Sequence, residues 1–207
     1  MARKPNSSKR NSSEPTLDGL VDAMLAVAEA EGWSGLTMAS VARQAGVPLS
    51  AALALAPGKL QLLKAYTRRI DAVVVAGTAA PADDESPRDR LFDVLMRRFD
   101  AMQPDRAALQ RIKAGLCRDP LGAACLLPRM MGAMALMLEC AGIGSGGPAG
   151  RLRAKGLAGV YGATLRAWFR DDSPDLSKTM SALDHALARA ERAARVLWPG
   201  RDASTSG

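Results

Sequence analysis

Between Leu36 and Lys59 the chain reads LTMASVARQAGVPLSAALALAPGK, a run that few backbones accommodate. Thr37 stands just before an apolar-periodic segment, where its hydroxyl can accept a hydrogen bond from a free N–H two or three residues on. Met38, Val41, Ala42 and Ala45 recur at helical spacing. Gly46 follows the last apolar position, where helices commonly end in a left-handed residue that glycine adopts without strain. Val47 is an apolar plug for the turn. Leu49 to Ala56 read as a second helix, and Pro57-Gly58 stops it. Two short helices joined by a glycine turn make a helix-turn-helix unit, whose second helix can lie in a DNA major groove.

The remainder of the 207 residues, enough for one or two compact domains, favours helix too. The hydrophobic share is 48%, while aromatics make up 4% and β-branched residues are scarce. Leu17 to Glu31 and Leu60 to Val75 carry helical apolar stripes on either side of the helix-turn-helix. Further on, Ser86-Pro87, Gln103-Pro104, Asp119-Pro120 and Ser173-Pro174 each place proline where a helix can begin without losing a needed N–H. These signals predict helices over 87–102, 104–117, 120–140, 150–170 and 174–197. The fold class is therefore all-α. Residues 16–76 form an N-terminal head with its linking helix and residues 86–198 a helical body. The Pro-containing stretch AGTAAPADDE lies between them.

Charge adds a partner class. The net charge is +7, which suits nucleic acid or an anionic membrane surface without specifying a sequence. Residues 1–15, MARKPNSSKRNSSEP, hold four cations against one acid, so +3 of that charge lies in a tail expected to be disordered. This tail is read either as a solvated segment or as a basic arm along a DNA groove. Residues 199–207 form a second disordered tail. The N-terminus has no apolar core of the kind a secretion signal needs, so the expected location is cytoplasmic.

Several chemistries find no support. His185 is the single histidine and has no cysteine or second histidine near it in sequence, which disfavours a metal site or a histidine-based triad. Cys117, Cys125 and Cys140 lack ligand spacing and are expected to be free thiols in a reducing compartment, buried in the core. Gly142, Gly144 and Gly147 fit G-x-G-x-x-G, but that motif binds dinucleotides only after a strand, so a flexible loop is expected. Asp171, Asp172 and Asp175 are expected to serve a helix start. No catalytic residue, metal or cofactor is assigned, and the chain is not expected to be an enzyme.

Two further patterns bear on ligands and assembly. Met130, Met131, Met134 and Met137 share a nearly all-apolar helix with Leu126, Leu127, Leu136 and Leu138. Such a helix is either central packing or the wall of a lipophilic cavity. Gly156, Gly159 and Gly162 recur at steps of three, and Leu176, Met180, Leu183, Leu187, Ala190, Ala194 and Leu197 form a stripe. Two such helices per subunit can pair with two from a partner, so a homodimer through the last two helices is expected.

Residues 17–70, through LVDAMLAVAEAEGWSGLTMASVARQAGV and the trailing PGKLQLL, resemble the N-terminal domain of the tetracycline-repressor-like (TetR) regulators. That family follows its first helix with a Gly-aromatic turn, here Gly32-Trp33, then a helix-turn-helix, then a Pro-x-Lys opening the fourth helix. The resemblance implies a DNA-binding transcriptional regulator acting on double-stranded DNA and responsive to a small apolar ligand. It carries phosphate contacts onto Thr37, Ser50 and Lys59. For the ligand we name Met130, Met134, Met137, Tyr161 and Trp168. The sequence departs from the family in its reading helix, LSAALALA, where Ser50 is the only side chain able to hydrogen-bond.

Residues 91–195 are similar, through KGLAGVYGATLRAWFRDDSPDLSKTMSALDHAL, to the body of the lipid-binding accessory protein of ubiquinone biosynthesis. The carrying positions are Val160, Tyr161, Thr164, Leu165, Trp168, Asp171 or Asp172 with Ser173, then Thr179, Leu183 and Asp184. Ser181 departs from that pattern, which usually has an aromatic there. This resemblance implies the alternative: an isoprenoid-lipid-binding protein with a degenerate head and peripheral membrane contact.

Overall fold

Ten α-helices carry the chain in the computed structural model, which describes residues 15–78 and 85–197. The head is α1 (Leu17–Gly35), α2 (Met38–Gln44), α3 (Leu49–Leu55) and α4 (Lys59–Ala76). The body is α5 (Pro87–Met102), α6 (Arg106–Leu116), α7 (Pro120–Ala124), α8 (Leu127–Cys140), α9 (Gly147–Trp168) and α10 (Ser177–Leu197). Among the described residues there is no strand. The tails at 1–14 and 198–207 lie outside the described residues, as do residues 79–84 of the head–body connection.

α1 packs on α2, α4 and α6, so it belongs to the head and also touches the body. α4 reaches α5 and α8, α8 lies on α9, and α9 lies along α10. One apolar core runs through both parts, from Leu20, Met24 and Val41 past Tyr66 and Ile70 to Phe99, Met134, Trp168 and Leu183. Burial of these side chains stabilises the fold by about 1.5–3 kcal/mol each.

Local chemistry sets the element ends. Ser86 accepts a hydrogen bond from the Asp89 N–H, and Asp119 accepts one from the Gly122 N–H at 2.8 Å, so both Pro-led helices are capped as expected. Three expected boundaries shift. Pro104 opens a 3-10 turn, Gln103–Asp105, and α6 begins only at Arg106. The segment 120–140 breaks at Cys125-Leu126, because Pro128 offers no N–H to the Ala124 carbonyl and its ring clashes there. Pro174 does not start the last helix: α10 begins at Ser177, after Leu176 takes a left-handed φ of 56°.

That last correction has a cause. The buried Asp171 carboxylate accepts hydrogen bonds from the Ser173 N–H and hydroxyl and from the Thr179 N–H and hydroxyl, the latter two at 2.7 Å. Thr179 lies in the first turn of α10, so Asp171 caps that helix from eight residues upstream. Burial raises its pKa, but these donors outweigh burial and hold it well below the usual carboxylate range. Asp175 accepts from the Ser177 N–H, and Asp172 pairs with Lys178.

Candidate nucleic-acid interface and its link to the body

Thr37 and Ser40 form a reciprocal capping box at the start of α2. The Thr37 hydroxyl accepts from the Ser40 N–H at 3.1 Å, and the Ser40 hydroxyl accepts from the Thr37 N–H at 3.0 Å. Gly46 has φ 68°, and the Val47 N–H returns to the Ala42 carbonyl at 3.0 Å. The turn thus closes as its sequence predicts and sets α3 across the face of the head. Ala52 is buried beneath α3, while Leu49 is 43% exposed, Leu53 41%, and Ser50 and Ala54 are also exposed. The exposed positions of α3 therefore hold one hydroxyl, Ser50, and four apolar side chains, Leu49, Leu53, Ala54 and Leu55. Thr37 is exposed at the edge of the same unit.

Lys59 has a task that sequence reading missed. Its ammonium donates to the Trp33 carbonyl at 2.7 Å and to the Leu36 carbonyl at 3.4 Å, and lies 4.9 Å from the Trp33 ring centroid. It ties the start of α4 to the Gly32-Trp33 turn, where Gly32 takes φ 76°. An ammonium has three donors, so these two carbonyls leave one over. Along the sequence from Gly32 to Ile70 there are five cations, Arg43, Lys59, Lys64, Arg68 and Arg69, and no Asp or Glu. Arg69 pairs with Asp22 of α1 at 2.6 Å, while Arg43 and Arg68 are exposed.

Two of the contacts between head and body rest on specific side chains that fix their fit. At the first, Gly115 of α6 meets Trp33: a Cβ on Gly115 would stand 2.5 Å from the Trp33 Cβ, so only glycine fits. At the second, Asp71 of α4 pairs with Arg98 of α5 and Arg129 of α8. Arg129 also donates to the Thr67 hydroxyl at 3.2 Å, and the Arg98 guanidinium lies 5.6 Å from the Tyr161 ring of α9. One cluster thus connects the head helix to three body helices. Its signal was present in the sequence: Thr67 and Asp71 continue, at steps of four, the stripe begun by the core residue Leu63, where a carboxylate is out of place.

The residues named for a ligand are brought together in part. Met134, Met137, Tyr161 and Trp168 belong to one packed core and Met130 is half-buried. Phe99, which sequence reading did not single out, lies between two of them, 5.4 Å from the Tyr161 ring and 6.0 Å from the Trp168 ring. The Trp168 indole N–H is buried without a protein acceptor, and Arg106 lies 5.5 Å over its ring. A concavity of about 320 Å³ lies elsewhere, between α9 and α10, lined by Ala163, Ala182, His185, Arg189 and neighbours. On α9, Gly156, Gly159 and Gly162 face open space. On α10, Met180, Leu183, Leu187 and Ala190 are wholly or partly buried, Ala194 is exposed, and the Leu197 side chain lies outside the described residues.

The cysteines are free, as expected, but not buried as a set. Cys117 and Cys125 are exposed, because they fall at the end of α6 and at the break after α7. Leu121 in α7 is 76% exposed and Leu127 opens α8 in the same state, so the apolar 120–140 segment is not a central core helix. His185 is exposed, with Nδ1 2.7 Å from the Ser181 carbonyl. Among the described residues no group of three or more His, Cys, Asp or Glu is placed to hold a metal ion.

No family model and no curated protein matches the chain. Solved structures do. A TetR transcriptional regulator from Nitrosomonas europaea ATCC 19718 superposes with TM-score 0.69 at 19% identity, covering 85% of this chain and 98% of that one. A TetR transcriptional regulator from Rhodococcus sp. RHA1 gives 0.61 at 19% identity, covering 84% and 93%. A TetR-family transcriptional regulator from Streptomyces coelicolor gives 0.58 at 17% identity, covering 89% and 86%. The chain therefore has the all-α fold of the TetR regulators, as its sequence resemblance implies.

Proposed function

We propose that this protein is a DNA-binding transcriptional regulator of TetR type that acts in the cytoplasm as a homodimer and responds to a small apolar ligand. The observation that carries the reading is the head. An accurately closed helix-turn-helix presents α3 at the surface of an acid-free, cationic segment, in a fold shared with regulators of that type. Thr37, Ser50 and the remaining donor of Lys59 meet phosphates, which position a protein on DNA without specifying sequence. Two copies join through α9 and α10, where the open glycine face of α9 lets helices approach closely. The ligand enters among Met130, Met134, Met137, Tyr161 and Trp168. It acts by favouring one of two packings of α4 against α5 and α8, since a ligand shifts only an equilibrium whose states it binds differently. Such a shift alters the separation of two heads that must meet major grooves about 34–36 Å apart.

The alternative, an isoprenoid-lipid-binding protein with a degenerate head and peripheral membrane contact, draws on the apolar α3 and on exposed Leu121 and Leu127. One measurement separates the two. The purified protein is titrated onto DNA from upstream of its own gene and onto random DNA at two salt concentrations. The regulator reading expects a specific site bound ~10³–10⁷ tighter than random sequence. Equal binding that fades with salt, the mark of counterion release alone, together with lipid in the purified protein, would favour the alternative.

A further inference from the structure

The face of α3 reads as a defect if base recognition means hydrogen bonds, yet one base edge is recognised without them. Each base pair presents donors and acceptors in the major groove, and thymine adds a C5-methyl, the one apolar group displayed there. α3 displays Leu49, Leu53 and Ala54 on its exposed stripe, with Ser50 as the single polar group. Ala52 and Ala56 close the core beneath, while Leu49 and Leu53 stay 43% and 41% exposed. Resting on the regulator reading above, we infer that α3 specifies its site through thymine methyl groups, with Leu49, Leu53 and Ala54 as the specificity-determining side chains.

Charge favours DNA over other occupants. Arg43 is exposed at the end of α2, the helix that packs on α3, and Lys59 follows α3 by four residues, and these cations complement a phosphate backbone. A second copy docking on the same face would set them against each other, a destabilising arrangement. Geometry limits the footprint. Seven helical residues span about 10 Å, which faces about three base pairs at about 3.4 Å each. The half-site under α3 is therefore a short thymine-bearing run, read on its methyl edge. Its amide and carbonyl edges meet no donor or acceptor beyond Ser50.

The test begins with selection of bound duplexes from a random-sequence pool by the full-length protein. The preferred duplex is then synthesised with thymidine and, separately, with deoxyuridine in the half-site. Deoxyuridine lacks only the methyl and keeps every hydrogen-bonding group. Each contacted methyl lost is expected to weaken binding about fourfold, and two or three together by an order of magnitude or more. Leu53→Asn, at an exposed position, is expected to remove about a fourfold share of that discrimination, and Leu49→Asn with Leu53→Asn most of it. A selected duplex that outcompetes random DNA but binds equally with thymidine and deoxyuridine overturns the inference and leaves the regulator reading standing. A selection that yields no preferred duplex overturns both. DNA-free assembly beyond the dimer that Leu53→Asn abolishes would place a second copy on this face and likewise overturns the inference.

Discussion

Asp71 of α4 and Arg98 of α5 face each other with side chains only 5% and 4% exposed, and Arg129 of α8 closes on the same carboxylate. A buried charge deprived of its partner is costly, so this cluster fixes how the head helix sits on the body. Asp71→Asn is expected to lower stability by about 3–5 kcal/mol, because two guanidiniums then face a neutral amide. Replacing all three, Asp71→Leu with Arg98→Met and Arg129→Met, is expected to recover much of that loss, since hydrophobic replacement of a whole buried ion cluster is often neutral. Urea unfolding of the wild type, each single variant and the triple variant reads both effects. Additive losses in the triple variant would show that the three residues do not act as a unit.

Gly115 tests another contact between head and body. A methyl there overlaps Trp33, so Gly115→Ala is expected to cost about 1–3 kcal/mol as an overpacked site. Gly156→Ala on α9 is the control. Its Cβ meets nothing within one subunit, so the monomer is expected to gain roughly 0.5–1 kcal/mol of helix stability. If the glycine face is where two copies meet, the same methyl weakens the dimer. Thermal unfolding and sedimentation measure the two consequences separately.

The all-α architecture was legible because caps, prolines and apolar periodicity all mark helices locally. Thr37, Gly46 and the Ser86-Pro87 and Asp119-Pro120 starts behave as their chemistry dictates. The misread boundaries share another origin. At Pro128 a local steric rule was outweighed, in reading, by a continuous apolar run. At Pro174 a local start signal lost to Asp171, whose bonds to Thr179 reach across eight residues. The partners of Lys59 and of Asp71 were hidden for the same reason, although Asp71 itself stands out on the apolar stripe of α4. These partners lie 23 or more residues away, and no periodicity encodes such a pairing. The apolar face of α3, by contrast, was plain in the sequence, and the structure shows that its leucines point outward.

Asp171 makes the α9–α10 connection sensitive to acid. Its folded pKa lies well below the ordinary value of about 3.9, because four donors from Ser173 and Thr179 outweigh the cost of burial. A carboxylate with a depressed folded pKa contributes stability that is fully present above its unfolded pKa. That contribution is lost as pH falls through the folded value. Asp171→Asn is therefore expected to be less stable than the wild type by at least about 2 kcal/mol at pH 7. The gap is expected to hold down to about pH 5 and to narrow steadily below about pH 4. Chemical unfolding at pH 7, 5 and 3 measures it, and a gap independent of pH would mean that the carboxylate is not what holds Thr179.

Lys59 carries two expectations that separate its roles. Inside the head its ammonium holds the Trp33 and Leu36 carbonyls, and hydrogen bonds from a charged donor are worth about 1.5–3 kcal/mol. Lys59→Met keeps the stem over the Trp33 ring but loses those bonds, so unfolding is expected to shift down by about that amount. At the DNA surface the same change removes one phosphate contact. The slope of log K against log salt concentration is then expected to fall by about 0.9. The two readouts are independent. A destabilised head with an unchanged slope would assign Lys59 wholly to holding α4 on the end of α1, and the phosphate contacts would then fall to Thr37, Ser50 and the exposed Arg43 and Arg68. A reduced slope with unchanged stability would mean that the two carbonyls find other donors when the ammonium is gone.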